Sequence, residues 1–201
     1  RAHRADVGFL LLVEQADVAK RDDVDRLLRK SRRLASPLRG AFHVAGVLND
    51  SLLEHLDAGQ VQSVMAPKAE GAWHLHDLTR DDQLDAFVLF SSVSGFLGSA
   101  GQGNYAAANA FLDALAHHRH SHGLPALSVQ WGPWAGIGLA AREEGRGARL
   151  ATLGLGSLDQ NEGRAVLESL LTRGERVAAA MRFDVERWRE RAPGAALNHQ
   201  L

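Results

Sequence analysis

Five short runs of apolar, β-prone residues recur along the chain, separated by longer stretches of helical periodicity. Val7 to Gln15 reads VGFLLLVEQ, Gly40 to Gly46 reads GAFHVAG and Ala86 to Ser92 reads AFVLFSS. Ala126 to Trp131 reads ALSVQW, and Val177 to Phe183 reads VAAAMRF. Their apolar character is nearly continuous, not alternating, which suits strands buried on both faces of a parallel sheet. Between them, Asp22 to Leu34 sets Val24, Leu27, Leu28 and Leu34 near one stripe. A second helix begins with Val61, Val64 and Met65 and is expected to run past Pro67 toward Leu78, with Trp73 and Leu75 on its apolar side. Tyr105 to His118 is alanine-rich with Phe111, Leu112 and Leu115 at helical spacing, and Glu162 to Leu171 makes a fourth helix. Strands alternating with helices predict a layered α/β fold.

Composition narrows the function classes. Lysine plus arginine total 23 and aspartate plus glutamate 24 in 201 residues, so no basic excess points to nucleic acid or a membrane surface. The chain has no cysteine, which removes disulfides, a thiolate nucleophile and Cys-based zinc sites and agrees with a cytoplasmic protein. No apolar run approaches the roughly 20 residues of a membrane span, and Arg1 to Asp6 lacks the apolar core of a signal peptide. Residues Ala135 to Gly156 hold six glycines and the charged run Arg142-Glu143-Glu144. Such a stretch is expected to form a long loop or a short helix between flexible ends, of the kind that serves as a lid. The segment from Pro193 is expected to be a frayed tail or linker, leaving residues 1–192 as one domain.

Nucleotide and metal fingerprints are weak. The sequence has no GxxxxGK[ST] and no full GxGxxG. Its two GxGxxA matches, at Gly101-Gly103-Ala106 and Gly136-Gly138-Ala141, lack the strand, turn, helix and later acidic residue that give the motif meaning. His117, His118, His120 and His122 cluster at a helix end, but no Glu follows His118 as HExxH requires, and histidines there also face the negative end of the helix dipole. A third constellation carries more. Ser91 and Ser92 end a predicted strand, where open α/β sheets bind ligands. Tyr105 and Asn109 stand four apart at a helix start and so share a face, and Lys68 lies in an earlier helix able to pack beside them. A tyrosine, a lysine and a serine together can deliver a proton to a carbonyl: the phenol donates, the ammonium favours phenolate and the hydroxyl holds the carbonyl oxygen. The bland reading, a helix-start tyrosine, a strand-end serine and a solvated lysine, accounts for the same spacing.

The segment His43-Val44-Ala45-Gly46-Val47-Leu48, the block SSVSGFLGSAGQGNYAAANAFLDALA and Val129-Gln-Trp-Gly-Pro-Trp134 resemble the ketoreductase domains of modular type I polyketide synthases, members of the short-chain dehydrogenase/reductase superfamily. The resemblance runs from Ala16-Asp17-Val18 to the stretch ending at Trp188. It implies a Rossmann-like sheet and NADPH-dependent reduction of the β-keto group of an acyl chain on a carrier protein, within a larger synthase polypeptide. Tyr105, Ser92, Lys68 and Asn109 match the catalytic tetrad, with lysine and asparagine exchanged relative to the YxxxK of simpler superfamily members. Asp17 and Val18 match the pair at the adenine, Ala45 and Gly46 the backbone under the cofactor ribose, and Pro133 and Trp134 the stretch beside the nicotinamide. Residues 135–156 match the substrate lid.

Stereochemistry is implied in the same way. Family members that give a D-configured β-hydroxyl carry Leu-Asp-Asp where this chain has Leu48-Asn49-Asp50, and L-type members carry a tryptophan where it has Leu97. Gln102 is not the histidine, nor Ala108 the proline, linked with epimerised substrates. A D-hydroxy product without C2 epimerisation is therefore expected. The first strand, Val7 to Gln15, resembles the family's third, so the glycine turn and the basic residue for the 2′-phosphate are expected to lie on chain not present here. The sheet should then be incomplete at its N-terminal side, another segment should fill the gap beside Gly40 to Gly46, and these residues alone should bind NADPH poorly. A non-catalytic scaffolding module derived from a ketoreductase is the competing reading.

Overall fold

A computed structural model describes residues 11–34, 36–138 and 146–191. Four strands form one parallel sheet in the order β1 (Gly40–His43), β2 (Ala86–Ser92), β3 (Leu127–Trp131) and β5 (Val177–Ala180). His43 stands opposite Leu89, and Ser92 opposite Trp131. A two-stranded antiparallel ribbon, β4 (Leu155–Gly156) with β6 (Arg182–Phe183), lies apart from the main sheet.

The unbroken apolar run of β2 explains its central place. Phe87 and Leu89 point to one face and join Ala72, Leu84, Leu112, Leu115 and Ala116. Val88 points to the other and joins Leu127, Val129, Trp131, Leu158 and Ala180. A strand buried on both faces has no polar side to alternate, which is why the sequence reads as continuous.

Helices cover both faces. The first core is closed by α3 (Gly71–Leu78) and the long α5 (Gly103–Ser121), with α1 (Arg21–Arg32) packed outside α3 through Val24 and Leu28. On the second face, α7 (Gln160–Arg173) contributes Val166, Leu167 and Leu170. Its start is fixed by Asp159, which accepts from the Asn161 and Glu162 amides, while Glu162 accepts from the Asp159 amide in a capping box. The remaining helices are α2 (Ala58–Met65), α4 (Ser94–Leu97), α6 (Arg146–Thr152) and α8 (Val185–Arg191).

Four expectations change. The helix crossing Pro67 does continue to Leu78, but Ala66–Glu70 is a π-turn between α2 and α3. Proline has no N–H to give the preceding turn, and the helix widens there instead of breaking. Trp73 is 43% exposed, not on the apolar side; its ring stacks at 5.0 Å on His76 and 5.8 Å on His118. The run Val177 to Phe183 is two strands in two sheets, parted at Met181. Residues 11–15 of the first expected strand are not strand; Leu11 and Val13 are 74% and 84% exposed, since no strand among the described residues pairs with them. Residues 7–10 of that run, 139–145 of the expected lid and the tail from 193 lie outside the described residues.

A buried arginine ties the helical layer together. Arg119, in the last turn of α5, donates to the Pro125 carbonyl at 3.0 Å and to Nδ1 of His76 at 3.1 Å, and its guanidinium lies 3.8 Å from the Phe87 ring centroid. Burial, then the Arg119 charge, pushes the His76 pKa down to about 4, so its ring is neutral and Nδ1 can accept.

Candidate active site

The carboxyl ends of β1, β2 and β3 open into one cleft of about 360 Å³, near the lower end for small-molecule sites. Its walls include Lys68, Ser92, Leu97, Gln102 and Tyr105 on one side and Gly46, Pro133 and Trp134 on another. The position follows from topology, because in open parallel sheets the loops leaving the strand ends diverge there.

Lys68 is the unusual member. It is only 3% exposed, yet its ammonium donates to the Phe90 carbonyl at 2.8 Å and sits 5.4 Å from the Tyr105 ring centroid. Gly46 leaves room for its stem, since a Cβ there would lie 3.0 Å from the Lys68 Cε. Burial pushes the Lys68 pKa down to about 8, against the opposing pull of the Asp113 carboxylate. The solvated-lysine reading fails here.

The two serines at the end of β2 face opposite ways, as alternation in a strand requires. Ser92 lines the cleft, and its Oγ accepts from the Ser94 amide at 3.2 Å. Ser91 is buried and donates to the Asn109 carbonyl at 3.2 Å, anchoring the strand end to α5. Asn109 does not line the cleft, although it shares the helix face of Tyr105. It is fully buried beneath α4, with its amide nitrogen donating to the Tyr105 carbonyl at 2.7 Å and its Oδ1 carrying no hydrogen bond from a described residue.

Beside Tyr105, the loop from Asn49 to Ser51 is fastened to the entry of α5. Gln102 donates to both Asp50 carboxylate oxygens, at 3.2 and 3.0 Å, and its own Oε1 accepts from Ser99. Asn104 donates to the Asn49 carbonyl at 2.8 Å, and the Ser51 amide to the Gly101 carbonyl. Leu97 and Gln102 therefore stand on the same wall as Tyr105, with Asp50 just behind. Ala45 lies outside the lining, as do Asp17 and Val18. Asp17 instead bonds the Ala19 amide and pairs with Lys20, and Val18 packs over Gly71.

Two residues of the site's support escaped the sequence reading. His43 is buried, and its Nε2 donates to the Lys68 backbone carbonyl at 3.0 Å. Asp113, one turn beyond Asn109, accepts from Ser128 at 2.6 Å and Gln130 at 2.8 Å and so clamps α5 to β3. A polar residue within an apolar strand run was the available signal for His43.

Buried neutral histidines make the fold acid-sensitive. Burial, then the Lys68 charge, pushes the His43 pKa down to about 4, and His76 is similarly placed. Below the unfolded value of 6.5 the unfolded chain takes up protons that these rings refuse, so stability falls as pH drops from 6.5 toward 4. His43 alone contributes on the order of 3 kcal/mol across that window. Urea unfolding at pH 7.5 and 4.5 should show this loss, and equal stability at both would contradict it.

Among the described residues no three metal-ligating side chains come together. His118 and His122 stack ring on ring at 4.4 Å, with His122 Nδ1 2.8 Å from the His118 carbonyl. No helix among the described residues is long and apolar enough to cross a membrane.

What remains is a buried lysine, a tyrosine and a serine at the carboxyl ends of a parallel sheet, and the KR domain family matches residues 3–136. The chain belongs to the KR domain family. Among relatives, it is 48% identical over 169 residues to the spectinabilin polyketide synthase system protein NorB of Streptomyces orinoci, covering 83% of this chain and 8% of that protein. It is 41% identical over 177 residues to erythronolide synthase EryA2 of Saccharopolyspora erythraea, covering 88% and 5%. The first ketoreductase of the tylosin synthase superposes with a TM-score of 0.78 at 43% identity, covering 87% of this chain and 37% of that one. A structure of A-type ketoreductases from a modular polyketide synthase gives 0.83 at 40% identity, covering 87% and 37%. The chain thus spans well under half of each KR structure and a small fraction of each synthase. KR domains are oxidoreductases of the short-chain dehydrogenase/reductase superfamily and use nicotinamide cofactors.

Proposed function

We propose that the cleft reduces the β-keto group of a polyketide intermediate, held on an acyl carrier protein of a cytoplasmic synthase, to a D-configured β-hydroxyl. The buried Lys68 ammonium beside the Tyr105 ring carries this reading. A buried lysine held beside a phenol at a cleft has a use in proton delivery and little use in packing.

The residues fit a reduced nicotinamide dinucleotide at its ribose and nicotinamide end. Lys68 offers an ammonium for hydroxyls, Gly46 leaves the strand end bare, and Pro133 and Trp134 give an apolar wall. NADPH, when bound, supplies the hydride. The chain's own residues do the rest. Ser92 hydrogen-bonds the substrate carbonyl oxygen, and Tyr105 gives its hydroxyl proton to that oxygen as the carbonyl carbon gains its new C–H bond. Lys68 offsets the negative charge left on the phenol, and bulk water returns the proton. Asn109 acts from beneath, holding the Tyr105 backbone. Asp17 and Val18, away from the cleft, are assigned to the adenine, Ala45 with Gly46 to the strand-end backbone under the cofactor ribose, and residues 135–156 to the lid.

The D configuration rests on the wall beside Tyr105. Leu97 leaves that wall without an indole, and Gln102 holds Asp50 against it. Overall likeness does not decide the face, because similar solved structures are described both as A-type and as C2-type. Reduction of a 3-oxoacyl thioester with NADPH, followed by chiral analysis, is expected to give mainly the D alcohol with no C2 epimerisation. A mainly L product would contradict the assignment of Asp50 and Leu97.

A further inference from the structure

His43 lies on β1, away from the cleft lining, yet it is 3% exposed and its Nε2 is 3.0 Å from the carbonyl of Lys68. A carbonyl can only accept, so Nε2 carries the proton and the neutral ring is the donor. The carbonyl it meets belongs to the π-turn Ala66–Glu70, where Pro67 has no N–H and the regular helical ladder is interrupted. Gly71 closes the arrangement, since a Cβ there would press on His43 Cε1 at 3.1 Å and Val18 at 2.9 Å.

We infer that His43 is a positioning residue for Lys68, holding the π-turn at the one register that points the ammonium at the Phe90 carbonyl and under the Tyr105 ring. The inference deepens the reductase reading and rests on it. The π-turn closes i→i+5 bonds where an α-helix closes i→i+4, so each residue is rotated less about the axis than in a regular α-helix, and tightening the turn re-aims Lys68. Loss of the donor frees the turn to tighten and swings the lysine stem out of its slot beside Gly46. Strand β1 and the lysine-bearing turn are then coupled through one hydrogen bond, from a residue that touches neither substrate nor cofactor.

The test uses the intact polypeptide carrying His43→Phe, which keeps the ring and removes the donor, and His43→Gln, whose amide nitrogen reaches the Nε2 position. Competitive acetylation of lysines from pH 6.5 to 11, resolved by peptide mass spectrometry, reports on Lys68 without any turnover. Lys20 and Lys30, with side chains 72% and 51% exposed, are the controls. The groups around the Lys68 ammonium are His43, Asp113 and the Tyr105 ring, and neither variant alters the latter two. In wild type the Lys68 midpoint is expected near 8, moving toward 10.5 in His43→Phe as the ammonium reaches water and returning in His43→Gln. The kcat for a ketone should fall about tenfold in His43→Phe, with KM nearly unchanged and recovery in His43→Gln.

An unmoved midpoint in folded His43→Phe overturns the inference. If His43→Phe does not fold, His43→Leu carries the same measurement. Failure of every donor-free variant to fold would show that the bond holds the sheet and not the lysine, and overturns it equally. Wild-type protein that reduces nothing but shows the Lys68 shift would sink the reductase reading and leave the role of His43 standing.

Discussion

In the intact synthase polypeptide, Tyr105→Phe should slow ketone reduction by about 10²–10⁴-fold while leaving NADPH affinity within about twofold. The phenol ring lies over the Lys68 ammonium, and the substitution keeps that ring and removes only the hydroxyl. The proton that neutralises the developing alkoxide then has no positioned source, and loss of a positioned general acid costs about 10²–10⁴-fold. Steady-state kinetics measures the first quantity and fluorescence titration of the cofactor the second. Near-wild-type turnover would remove Tyr105 from the chemistry. A large loss of cofactor affinity would instead assign the hydroxyl to binding.

Lys68→Met should lower kcat/KM by about 10²–10³-fold, the range seen when one preorganised donor is taken from a dry site. Methionine fills the slot beside Gly46 and carries no charge, so the loss is electrostatic. The Phe90 carbonyl also loses its donor. The pH profile separates the two. Because burial lowers the Lys68 pKa to about 8, the ammonium is lost as pH rises through that value, and wild-type kcat should fall there. In Lys68→Met that alkaline limb should be gone, leaving the low residual rate flat across pH 8. A variant that keeps the limb would assign it to another group.

The central strands could be read directly from the sequence because burial on both faces leaves an unmixed signal. Ala86 to Ser92 appears in the structure with the same ends, and Ala126 to Trp131 with one residue fewer. The outer elements were less legible, since their form depends on neighbours. Val177 to Phe183 reads as one run, but only its first half pairs with β3, and the rest turns to pair with Leu155 and Gly156. Residues 11–15 of the apolar run from Val7 pair with no strand among the described residues and stay exposed. Periodicity cannot report a partner.

The same limit applies to the site. Ser92, Lys68 and Tyr105 line one cleft, because strand ends and helix starts converge at the carboxyl edge of a parallel sheet. Spacing misplaced Asn109, whose shared face with Tyr105 is covered by α4 through Ser94. His43 and Asp113 lie outside the cleft, His43 bonding the Lys68 carbonyl and Asp113 joining α5 to β3. Their roles depend on contacts across 25 and 15 residues of sequence, which no local pattern encodes.

The most direct test of the account follows one isotope. A 3-oxoacyl thioester is reduced with NADPH carrying deuterium at its hydride-donating position, by the intact synthase polypeptide in wild-type form and with Tyr105→Phe, and the product is analysed by mass and chirality. The account predicts one deuterium on the β-carbon of a D-configured alcohol from wild type, and the same product at least a hundredfold more slowly from the variant. Folded, cofactor-binding wild-type protein that transfers no deuterium would contradict it and favour a scaffolding role.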